Sequence, residues 1–347
     1  MLDLTPQVAV ETKLRSVASP RVAMVAALLA GLAVIVTAPW WLEPATEPPL
    51  AGVQVPGRLT TTGLPVAKYL HEIAGMAVVG LLLVRSLLSG GRGSASAHLV
   101  AMVARWSWVW AGSALVWAVF CLSEVTGVPV PQLASRGSMT AVLAGSPVIL
   151  AQTATIWVAL GLALFAAHLA SRAQAAAALL LATAALLPAA LVRHVEHRSV
   201  HDHDNPAIAT VVLISLALHI VAASFWLGGL LAVVVHLRGF DRRIREVVPR
   251  FSAAALLFIV VVGLSGIVQS AATVQGWDAV WNTDRGHLIM IKSVGLASLM
   301  AIGFAHRRYT VEAARSGKLL PLLALAAGEL VVMGATVGVA VVLAPLP

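Results

Sequence analysis

The residues best suited to chemistry crowd into one polar stretch, His194-Val-Glu196-His197-Arg-Ser-Val-His201-Asp202-His203-Asp204. Four histidines and three carboxylates within eleven residues have no apolar surface to bury, so packing does not hold them together. Imidazole with carboxylate suits divalent copper, zinc or nickel, and the His-x-x-His and His-x-His spacings let neighbouring side chains reach one ion from a turn or an extended segment. On this reading His194, His197, His201, Asp202, His203 and Asp204 capture a metal ion. The other reading is a solvated loop without a ligand, and the residue types alone leave both open.

A second group stands isolated among apolar residues. Ser215, His219, Ala223 and Trp226 recur at intervals of four, four and three, so they share one helical face, and Gly228-Gly229 lets another helix or a cofactor approach closely. Further along, Glu329 is the only acid in its apolar run. Tyr69, His71 and Glu72, then Cys121 and Glu124, then His287 and Lys292, lie near one end of their runs; His168, His236 and His306 lie near the other, and Gln152 between. Ionisable groups inside a bilayer are costly and face a cavity or a partner, so each is a candidate site residue. The inner-end histidines also fit a plain interfacial position beside basic loops. A single cysteine excludes an internal disulfide and any CxxC motif. No phosphate-cradling G-x-x-x-x-G-K-[ST] run occurs, so the chain is not an ATP-driven pump on its own.

The elements that position these groups are membrane helices. With 59% hydrophobic residues, 11% charged and a mean hydropathy of +0.91, the chain exposes too much apolar surface for a soluble domain. A bilayer core about 30 Å thick needs about 20 apolar residues per helix, and nine such runs are present: 21–42, 66–88, 99–124, 147–171, 174–193, 207–236, 251–274, 287–306 and 319–345. The fold class is therefore all-α, a polytopic bundle of about nine helices. The run at 21–42 exceeds a signal-peptide core and is expected to stay as an anchor. Alternating ten-residue segments are absent, which excludes a membrane barrel.

Of the 23 Lys and Arg, 16 fall on the inner side if the N-terminus is cytoplasmic, among them the clusters around Arg243 and Arg308. This predicts N-terminus in, C-terminus out, and puts the His/Asp stretch outside. The net charge of +8 is then a topology signal with contact to anionic lipid, and no nucleic-acid partner is needed. By helix rise, His71 and His287 each come out about 10 Å shallower than His219.

From about residue 207 onward the chain resembles the copper resistance D (CopD) domain. The resemblance rests on His219-Ile-Val-Ala-Ala-Ser-Phe-Trp226-Leu-Gly228-Gly229, Arg250-Phe251-Ser252, Gly286-His287-Leu-Ile-Met-Ile-Lys292 and Glu329. Tyr69-Leu70-His71-Glu72 is similar to the N-terminal helices of actinobacterial members. The resemblance implies an inner (plasma) membrane protein that handles copper, with an extracytoplasmic copper-binding protein as donor or acceptor. A second resemblance, through His219, Trp226, Gly229 and Lys292, is to haem-binding HemJ-type protoporphyrinogen oxidases. It implies haem b on His219, with His71, His287 and Lys292 as neighbouring cofactor-binding residues. The depth difference counts against bis-histidine ligation.

The expected organisation is residues 1–206, five helices with the His/Asp stretch, followed by a CopD-like unit at 207–347. The expected function is copper capture at the outer face and movement into or across the membrane, as a transporter rather than an enzyme. The stretch 194–204 collects the ion, His71, Glu72, Cys121 and Glu124 form an entry layer, and His219 with Glu329 form a mid-membrane station. The alternative is a haem b redox protein, a membrane oxidoreductase.

Overall fold

The computed structural model describes residues 19–42, 56–88, 93–135, 145–198, 206–237, 240–274, 276–305 and 319–344. Among them are nine helices long and apolar enough to cross a membrane: α1 (Pro20–Trp41), α2 (Arg58–Leu87), α3 (Ser94–Thr126), α4 (Pro147–Phe165), α5 (Arg172–Arg198), α6 (Pro206–Leu231), α7 (Asp241–Thr273), α8 (Asp284–Ala305) and α9 (Leu319–Leu343). The described residues contain no strand. The protein is a polytopic helical membrane bundle.

Several helices outrun the apolar runs that announced them. Helix α2 begins at Arg58, eight residues before the expected start, and passes through Pro65. Helix α7 begins at Asp241 and passes through Pro249. Proline is tolerated in membrane helices because neighbouring groups satisfy the freed carbonyl, so it does not mark an end here. Helix α5 continues to Arg198, so His194, Glu196 and His197 stand on helical backbone rather than in a loop. His201, Asp202, His203 and Asp204 lie outside the described residues. A turn at Ala166–His168 separates α4 from α5, so the break falls before the expected one, and Arg172-Ala-Gln174 is the first turn of α5.

Burial ranks the helices. In its most apolar window α2 is 72% buried, against 11% for α7 and for α8. Helix α2 is thus the axis of the bundle, while α7 and α8 leave most of their surface uncovered by the rest of the chain. Small residues set the closest approaches, as expected where no hydrophobic effect drives helices together. A β-carbon on Gly80 would fall 1.8 Å from the Gly228 carbonyl carbon, so α2 and α6 touch backbone to backbone. Ala27 and Gly31 of α1 meet Gly334 and Gly338 of α9 in the same way, joining the first and last spans. Tyr69 Oη donates at this junction, 3.2 Å from the Ala27 carbonyl.

Polar bonds pin the remaining seams. Thr60 and Ser123 hydroxyls lie 2.6 Å apart between α2 and α3, and Thr155 Oγ1 donates to the Ala185 carbonyl at 2.8 Å between α4 and α5. Three arginines from different segments gather at the C-terminal end of α2. Arg85 donates to the Ala170 carbonyl (3.1 Å), Arg172 to the carbonyls of Ser86 (3.0 Å) and Leu87 (3.2 Å), and Arg250 to that of Leu87 (2.7 Å). Cations there satisfy terminal carbonyls and complement the helix dipole. They also define one end of the bundle as its basic face.

Candidate functional site

The tautomer of His219 follows from the hydroxyl beside it. Ser265 Oγ has one proton to donate, and it lies 2.5 Å from the Val261 carbonyl on its own helix. Assigning that proton to the Val261 carbonyl makes His219 Nδ1, 2.9 Å from the same Oγ, the donor of this bond. The lone pair is left on Nε2. A metal-ligating histidine has its other N–H held in just this manner, which fixes tautomer and ring orientation. Ser215 Oγ donates to the Ser265 carbonyl (3.1 Å) and Gln269 Nε2 to the Val212 carbonyl (2.8 Å), completing a polar seam between α6 and α7. This seam is also the neighbour-helix bonding that a purely structural role for Ser215 and His219 requires.

Register brings other groups to the same depth. Helices α2 and α6 run in parallel and touch at Gly80 and Gly228, and His71 and His219 each lie nine residues before those glycines. The two histidines are therefore level, and the 10 Å offset expected from helix ends is wrong. Its cause is the hidden first two turns of α2, since His71 is thirteen residues beyond Arg58 just as His219 is thirteen beyond Pro206. Glu72 accompanies His71 at this level. On α8, Leu296 meets Gly263 of α7, and Gly266 lies against His219, so Lys292 one turn from Leu296 comes level as well. Lys292 is within electrostatic reach of Glu72, Lys68 and His219. Lys68 Nζ is 3.9 Å from Glu72 Oε1. Glu72, His219 and Lys292, all partly buried, thus stand at one level on three helices.

The other candidates are dispersed. His71 points to α3, its ring centroid 4.8 Å from that of Trp117 and 6.2 Å from that of Trp110, with no hydrogen-bond partner for Nδ1 among the described residues. Cys121 is buried in an apolar cluster with Ala67, Trp117 and Leu122, and Glu124 is exposed. His287 is exposed and its Nε2 donates to the Trp281 carbonyl at 2.8 Å. Glu329 is buried and accepts a hydrogen bond from Trp226, two turns closer to the basic face than His219. Among the described residues no three of His, Cys, Asp and Glu come together. Two contributors escaped the sequence reading. Lys68 was legible as the i,i+4 partner of Glu72; Ser265, 46 residues from His219, carried no local signal.

Among the described residues the protein is a helical bundle with nine helices able to cross a membrane, in which Glu72 of α2, His219 of α6 and Lys292 of α8 stand at one level. Residues 245–343 match the family model of copper resistance protein D, CopD. The matched stretch takes in α7, α8 and α9 with Arg250, Lys292 and Glu329, and leaves α6 and His219 outside. The chain is also 30% identical over 113 residues to the copper transport protein CutJ of Bacillus subtilis (strain 168), a match covering 31% of this chain and 21% of that protein. The chain thus spans about a fifth of the length of that relative. No solved structure matches.

Proposed function

We propose that this protein takes up copper at the face opposite the basic one and passes it into or across the membrane through the site between α2, α6 and α8. The observation that carries the reading is His219, whose Nδ1–H is held by Ser265 while Nε2 keeps its lone pair at the level of Glu72. Imidazole and carboxylate are suitable copper ligands. Without cargo, Lys292 and Lys68 compensate the charge of Glu72, which is costly to leave unpaired at this depth. A copper ion that binds Glu72 takes over that compensation only as the lysine ammonium groups swing away or release a proton, so loading is coupled to the displacement of Lys292 and Lys68.

In this reading the basic face is cytoplasmic, the protein is a multi-pass plasma-membrane transporter, and 207–347 is its CopD-like unit. His194, His197, His201, Asp202, His203 and Asp204 collect the ion, from solution or from an extracytoplasmic copper-binding protein. Cys121 and Glu124 belong to the entry side, His71 stands at the level of His219, and Glu329 follows His219 toward the cytoplasm. The test is metal analysis with an absorption spectrum of the purified protein. Colourless protein with stoichiometric copper is expected. A Soret band without copper would overturn the reading in favour of haem on His219.

A further inference from the structure

Near the basic face a second pair of imidazoles meets. His236 ends a short π-helical turn, Ala232–His236, that follows α6, and π-turns inside helices concentrate at functional sites. The turn brings His236, which is buried, against α3, where its ring centroid lies 6.1 Å from that of His98. A metal ion held between two imidazoles sets their centroids about 6 Å apart, from roughly 2 Å to each nitrogen plus roughly 1.1 Å from nitrogen to ring centre. Along α3, His98, Met102 and Trp106 follow at intervals of four and share one face, so a thioether, a soft copper ligand, stands one turn from His98.

Trp106 occupies a particular place. Its Nε1 donates to His236 Nε2 at 3.0 Å, so an indole N–H caps the lone pair a metal would take. The same side chain lines an apolar cavity with Tyr69, Ile73, Leu227, Leu231 and Leu330. Leu227 and Leu330 are the chain neighbours of Trp226 and Glu329. The cavity thus lies between the level of the Trp226–Glu329 pair and the two histidines, with Trp106 in its wall bonded to His236. We infer that His98 and His236 form a cuprous-copper exit site, which Trp106 closes in the empty state. This rests on copper being the cargo, but on residues separate from those around His219.

The experiment counts Cu(I) bound to the purified protein in competition with a chromophoric chelator, for wild type, His219→Ala, and His98→Ala with His236→Ala. Each variant is expected to lose about one equivalent relative to wild type. A double variant with the wild-type count overturns the exit site and leaves the His219 reading standing. Loss in the double variant but not in His219→Ala supports the exit site and overturns the other. Trp106→Phe keeps an aromatic ring but removes the capping N–H, and is expected to tighten Cu(I) binding about fivefold. Unchanged or weaker binding in that variant would contradict the closing role, independently of how well the double variant folds.

Discussion

Replacing His219 with alanine is expected to weaken copper binding at the central site by at least about 100-fold, with the bundle still folded. Loss of an outer partner of a metal ligand typically costs 10–100-fold in metal affinity, and loss of the ligand itself costs no less. Ser265→Ala, which frees the ring without removing it, is accordingly expected to weaken binding about 10- to 100-fold. The structural cost of either change is small, since a side-chain hydrogen bond between membrane helices is worth on the order of 1 kcal/mol. Copper titration beside thermal unfolding in detergent separates the two effects. If both variants lost thermal stability but kept wild-type copper affinity, His219 would be a structural residue only.

The largest effect on folding is expected from Gly228→Val. A β-carbon there would stand 1.9 Å from the Met76 carbonyl oxygen, and its counterpart on Gly80 would strike the backbone of Gly228. Backbone atoms on both sides leave no flexible side chain to give way. The two helices must separate, and since α2 is the most enclosed span, the core opens with them. Overpacking usually costs about 1–3 kcal/mol, and this site belongs at or beyond the upper end. Gly112→Val on α3, where nothing lies within 4 Å, is the matched control and is expected to stay close to wild type. The measure is the monodisperse fraction after extraction together with the unfolding midpoint. A Gly228→Val protein matching wild type in both would show that α2 and α6 do not pack as described.

The spans were legible because length and apolar content are enough to announce a membrane helix, and the basic clusters that share a face at Arg85, Arg172 and Arg250 were legible as charge. The site was legible only in pieces. His219, Glu72 and Lys292 stood out because each is an ionisable group among apolar neighbours, but their common level depends on register, which the glycine contacts set. The same dependence explains the wrong depth for His71. Counting from the apolar run missed the polar first turns of α2, Arg58 to Thr62, where threonine hydroxyls donate back to the Arg58 carbonyl. His98 stands just before its apolar run and so does not show as an intramembrane ionisable group; its four-residue spacing to Met102 and Trp106 is the sequence signal that points to it.

The most direct test is copper uptake into proteoliposomes with an inside-negative potential. At about 2.3 kcal/mol per 100 mV, a monovalent ion is drawn inward to about a 50-fold excess with no other energy source. Vesicles carrying the wild-type protein are expected to accumulate Cu(I) in step with the imposed potential, and vesicles carrying Glu72→Gln with His219→Ala to take up no more than protein-free vesicles. Equal uptake by wild-type and double-variant vesicles would contradict passage through the site between α2, α6 and α8.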